Sequence, residues 1–301
     1  MSVPPPGTTP APSSTSIFQP AMSPAVRPPA ASSSNFKGGK PCSNGGDNGS
    51  TTTGSNDCDD AGHAAAAPKF PVPKLRLEIR DLVHPGARLF LDSVNATECM
   101  TAAVANLLRL LYGSPADPTT TVPPTRSVTL ILRDMPGVAY TTGSDLDDDH
   151  KEVHFSLPYL SRVPAPRAPQ EVAGVVTHEL VHCYQYNAFG TCPGGLIEGI
   201  ADWVRLRCGL VPPHWTRDAD GDWDAGYQKT AYFLEYLERR FGDGFVRRLN
   251  EKLRIQRYKS GTFWCELTGH GVDALWRDYG ESLKAGKEAT GCDAPQTNGS
   301  S

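Results

Sequence analysis

From residue 74 to 83 apolar and charged positions alternate. Leu75, Leu77 and Ile79 fall on one side, Arg76, Glu78 and Arg80 on the other, the period-two pattern of a strand with one buried face. Next, Asn95-Ala-Thr-Glu98 has the form of a capping box. Met100, Val104, Leu107, Leu108 and Leu111 follow at helical spacing up to Gly113, which predicts a helix. Alternation returns over residues 127–133, where Val128, Leu130 and Leu132 mark a strand. Two more strands are expected at 138–142 and 152–157, either side of an acidic loop at 144–149. Beyond them the period becomes helical, and helices are expected over 170–189, 196–208, 223–241, 245–255 and 272–283, with glycines and prolines between. Strands and one helix followed by a run of helices point to an α+β fold, with helices packed on a small mixed sheet. No internal repeat interrupts this order.

Composition divides the chain. Residues 1–70 contain 11 Pro, 8 Gly, 11 Ser and 6 Thr, and no Leu, Trp or Tyr; such a stretch buries too little apolar surface to offset its ordering entropy. A disordered tail is therefore expected over 1–70, a single domain over 71–290 and a disordered end over 291–301. The net charge is −4 and the tail carries four charges of each sign, so the acidic excess belongs to the domain. Nucleic-acid binding is not expected of such a surface. Nor is a membrane span, since no apolar run approaches the roughly eighteen residues it needs. Residues 1–30 lack the basic start and apolar stretch of a secretory signal, so composition alone points inside the cell. The eight cysteines, Cys42, Cys58, Cys99, Cys183, Cys192, Cys208, Cys265 and Cys292, are even in number as in a secreted framework. None shows a CxxC spacing, which leaves disulfides and free thiols equally open.

The chemistry concentrates in Thr177-His178-Glu179-Leu180-Val181-His182. On a helix His178 and His182 project from one face a turn apart, where two imidazoles can grip one metal ion. Glu179 lies about 100° around from His178, within reach of a water on that ion without ligating it. A glycine-containing break (Gly190, Pro193, Gly194, Gly195) precedes Glu198 and Asp202 on a second helix. Zinc held by two His needs a third protein ligand and an open position. Glu198 is the candidate ligand, and Asp202, one turn on, is placed to accept the free ring N–H of a ligating His. The metzincin pattern would require Gly at 185 and His at 188, where Gln185 and Ala188 stand. The ExxxD arrangement after the turn is instead that of gluzincins.

The run HELVHCYQYNAFGTCPGGLIEGIADWVRLRCG, followed by PPHW, WDAGYQKTAYFLEYLE and GVDALWRDYGESLKAG, resembles the plant basic secretory proteins and their fungal and bacterial relatives. RDMPGVAYTTGS and KEVHFSLPYL extend the likeness to about residues 75–285. The resemblance implies a zincin-like metallopeptidase fold, one zinc ion on His178, His182 and Glu198, a peptide or protein substrate, and secretion, against the sequence's own indication. The compartment stays open, and a monomer is expected. Glu179 would be the general base, taking a proton from the attacking water and passing it to the departing amine. Tyr227, in the GYQKTA stretch, is the first candidate for stabilising the oxyanion, with Tyr232 and His214 as alternatives. In zincins an edge strand pairs with the peptide, and the resemblance gives that part to the strand before the site helix: Glu152, Val153, His154 and Phe155. No GxMEN-like aminopeptidase signal precedes the site, so an endopeptidase is expected. The alternative is a non-catalytic, defence-related or binding protein that keeps the fold, against which the intact Glu179 argues.

Other features carry less. Asp218, Asp220, Asp222 and Asp224 alternate like calcium ligands, but Gly221 and Lys229 stand where an EF-hand cannot have them. Cys183 would point about 100° from His182. Trp203, Phe233, Leu234, Leu237, Trp264 and Trp276 are expected in the core.

Overall fold

The computed structural model describes residues 69–291; the expected tail, apart from Lys69 and Phe70, and the expected disordered end, apart from Gly291, lie outside it. The elements run β1 (Lys74–Ile79), α1 (Pro85–Ser93), α2 (Ala96–Leu111), β2 (Ser127–Arg133), β3 (Ala139–Gly143), β4 (His150–Ser156), α3 (Leu157–Leu160), α4 (Ala168–His182), α5 (Gly194–Arg207), α6 (Tyr227–Phe241), α7 (Phe245–Ile255), α8 (Ser260–Thr268) and α9 (Val272–Gly291). The α+β architecture expected from the sequence is present: a small mixed sheet and a helical C-terminal part. No helix among the described residues is long and apolar enough to cross a membrane.

The sheet order among the described residues is β1-β2-β4-β3. β1, β2 and β4 are parallel, in register through Leu77, Leu130 and Val153, while β3 returns antiparallel to β4 with Thr141 opposite Val153. One face supplies Val128, Leu130, Leu132, Val153 and Phe155, all at most 1% exposed, to the main core. This order corrects one expectation. The strand carrying Glu152, Val153, His154 and Phe155 is not an edge: β2 and β3 take its two sides. The edge next to the site helix is β3, because a hairpin folds it back outside β4.

Helix α4 is buried almost all round, from Val172 to Val181, as it must be when it lies between β3 on one side and α2 and α5 on the other. It stops at His182, seven residues short of the predicted end. Ala188 and Phe189 both have φ of 56°, a left-handed backbone that no helix tolerates. The helical period had continued only because Tyr184 and Ala188 are buried in the following turn. Helix α6 likewise starts at Tyr227, not 223. Gly226 turns the chain at φ 89°, and the Thr230 hydroxyl donates to Trp223 O at 2.8 Å while accepting from Gly226 N at 3.0 Å. Three short helices, α1, α3 and α8, were not expected. Trp203, Phe233, Leu234, Leu237 and Trp264 are buried in the core, with Trp276 packed against it.

Close approach explains two small residues of the GGLIEGIAD stretch. A Cβ on Gly195 would run into the Asp224 carbonyl, and one on Gly199 into the Thr230 side chain. These contacts seat α5 against the start of α6, and so fix the height at which α5 presents its acids to α4.

Candidate metal centre

His178 and His182 close α4, and the α5 acids reach them across the helix interface. His178 Nε2 lies 3.0 Å from Glu198 Oε2 and 3.1 Å from His182 Nε2, and His182 Nε2 lies 3.7 Å from Glu198 Oε2. The two rings meet edge to face. One ligand atom from each of these three residues falls within 4.8 Å of the others, close enough that the group could hold a metal ion. The donor set fits zinc: about a tetrahedral ion with bonds near 2.0–2.1 Å, donor atoms sit roughly 3.3 Å apart, between the shortest and longest separations here.

The other nitrogen of His178 is already engaged. Its Nδ1 donates to Asp202 Oδ1 at 2.7 Å, and Asp202 is only 3% exposed. That bond turns Nε2 towards the cluster, where its lone pair serves an ion once the ring is neutral. Burial works against a proton on His178, but the charge and hydrogen bond of Asp202, aided by Glu198, outweigh it and push its pKa up to about 10. For Glu198, burial would raise the pKa; hydrogen bonds and charge from the two histidines reverse this and hold the carboxylate ionised far below its usual range. The raised His178 value reflects the carboxylates of Asp202 and Glu198 around it, and the lowered Glu198 value the two imidazoles beside it.

Glu179, 5% exposed, stands outside the donor group. Its Oε2 accepts from the Thr141 hydroxyl at 2.7 Å, and its carbonyl oxygen lies 3.0 Å from the same hydroxyl. Tyr227 stacks nearly parallel on the His178 ring, centroids 6.1 Å apart. Its φ of 47° is a strained value for a non-glycine residue, held in place by the turn at Gly226. Burial, then the charges of Glu198, Asp202 and Glu179, push the phenol pKa up, so it stays a proton donor.

The remaining sequence candidates lie elsewhere. Tyr232 packs on Trp215 and under Arg217; five residues on from Tyr227, it faces another side of α6. His214 is exposed. On β4, Val153 and Phe155 point into the core, while Glu152 and His154 occupy the opposite face, paired at 3.1 Å, with Tyr140 stacked on His154. Cys183 is a buried thiol whose Sγ approaches Glu179 O, not the cluster. Cys99, Cys183, Cys192, Cys208 and Cys265 are all free; Cys42, Cys58 and Cys292 lie outside the described residues. Lys229, in the first turn of α6, ties down Asp218 of the preceding loop at 2.9 Å. Thr141 was missed from the sequence, where nothing in its surroundings marks it.

Fold and site together define a class: an α+β protein whose buried helix pairs two histidines with a glutamate from the next helix. Residues 72–279 match the BSP family model, described as a peptidase of plants and bacteria, and the chain belongs to this family. No curated protein and no solved structure matches the chain.

Proposed function

We propose that this protein is a zinc-dependent endopeptidase of gluzincin type. The observation that carries the proposal is that ligand atoms of His178, His182 and Glu198 lie within 4.8 Å of one another, with Glu179 next to His178 on the same helix. Zinc, held by those three residues, would supply Lewis acidity to the scissile carbonyl and to the attacking water. Asp202 fixes the His178 ring. Glu179 receives the proton of the attacking water on Oε1, the oxygen that Thr141 leaves free, and returns it to the leaving nitrogen. Tyr227 offers its phenolic hydrogen to the oxygen on which charge develops. The substrate lies along β3, not β4: residues 139–143 present the free sheet edge adjoining Glu179, where an extended peptide can add as a strand.

Purified protein should carry one zinc per chain and cleave members of a diverse peptide library. A chelator should remove both properties, and zinc should restore them. Full zinc occupancy with no cleavage of any peptide would sink the enzymatic proposal and leave the binding-protein alternative. For Tyr227→Phe, kcat should fall about a hundredfold with KM and zinc content near wild type; an unchanged kcat would take the oxyanion role away from this residue.

A further inference from the structure

The general base has one protein hydrogen-bond partner for its carboxylate among the described residues, and it comes from the edge strand. Thr141 sits in the middle of β3, opposite Val153 of β4, with its side chain turned towards α4. Its Oγ1 is 2.7 Å from Glu179 Oε2 and 3.0 Å from the Glu179 carbonyl oxygen. A threonine hydroxyl has a single hydrogen, and an ionised carboxylate at the shorter distance is the stronger acceptor. The hydrogen bond therefore goes chiefly to Oε2, with the carbonyl as a lesser, shared partner.

Resting on the peptidase proposal above, we infer that Thr141 is a positioning residue for Glu179. A glutamate side chain has three rotatable bonds, and nothing else described holds the end of this one. Fixing Oε2 directs Oε1 towards the cluster and keeps the carboxylate from swinging to other donors. Because Thr141 belongs to the strand whose free edge would carry the peptide, the base and the scissile bond are referred to one rigid element. An error of about 1 Å between them can cost a hundredfold in rate, which gives the contact its consequence.

The test compares full-length wild type, Thr141→Val, Thr141→Ser and Glu179→Gln for zinc content, kcat and KM, and for the melting midpoint with and without zinc. Valine keeps the shape and removes the donor. The expected result is a loss of about 10–100-fold in kcat, the worth of one hydrogen bond to a charged group. KM, zinc content and the melting midpoint of the zinc-free chain should stay near wild type. Thr141→Ser, which retains the hydroxyl, should recover kcat to within about threefold. The inference is overturned if the valine variant keeps wild-type kcat, if serine is as poor as valine, or if the loss follows zinc content or unfolding. Should the valine variant not fold, Thr141→Ala is judged by the same criteria. A wild type that cleaves nothing defeats the peptidase proposal and this inference with it; an active wild type with an unaffected valine variant defeats only the inference.

Discussion

Replacing Glu179 by Gln is expected to lower kcat by about 10²–10⁴-fold, the range for loss of a general base, while zinc content stays at the wild-type level. The two halves of this result come from different atoms. Glutamine has the size and shape of glutamate, so the packing of a residue only 5% exposed is preserved. Its amide oxygen can still accept from the Thr141 hydroxyl, which lies 2.7 Å from Oε2 in the wild type. What disappears is the ability to take up a proton at the other oxygen. Zinc should remain because the donor group consists of His178, His182 and Glu198, and Glu179 is not a member. Kinetics on one peptide together with metal analysis of the same preparation check both. A variant within tenfold of wild-type kcat would move the base to another group. A variant that loses zinc would show that Glu179, and not Glu198, completes the ligand set.

The parts of the site readable from sequence are those set by local geometry. His178 and His182 are four residues apart on one helix, so their convergence follows from the helical repeat once the helix is granted. Glu198 and Asp202 needed more: the helix that carries them is visible, but the packing that brings it against α4 depends on Gly195 and Gly199 having no side chain to hold α5 and α6 apart. The spacing suggested the pair, and the resemblance made the suggestion specific.

Thr141 had no such route. It reaches Glu179 from 38 residues upstream, across a strand-to-helix interface that no periodicity encodes. The expectation that β4 is an edge strand failed for a related reason. Alternation tells which residues share a face but not which strand is outermost, and here a hairpin places β3 beyond β4. Helix α1 went unseen because its N-cap is His84, whose ring nitrogen accepts from Gly86 N at 3.0 Å, in place of the usual Ser, Thr, Asp or Asn. The end of α4 was misjudged because burial of Tyr184 and Ala188 mimics a helical stripe in a chain that has already turned.

The relative cost of losing the two α5 acids distinguishes a ligand from its support. Asp202→Asn should weaken zinc binding by about 10–100-fold, as expected when a partner that orients a ligating histidine is impaired. The amide oxygen can still accept from His178 Nδ1 at the wild-type distance of 2.7 Å, so the ring keeps its direction. It loses the neighbouring negative charge, the leading influence that raises the His178 pKa against burial, and becomes a poorer electron donor. Glu198→Ala should weaken binding by more than Asp202→Asn does, because it deletes one of three direct donors and with it the carboxylate next to both imidazole nitrogens. Two neutral imidazoles then remain to hold a divalent ion, and with less charge to offset the ion's desolvation. Competition for zinc against a chromogenic chelator gives both affinities on one scale. If Glu198→Ala retains wild-type affinity while Asp202→Asn abolishes binding, the roles are reversed: Asp202 would be the third ligand, and the 3.0 Å contact between Glu198 and His178 would be no more than a hydrogen bond.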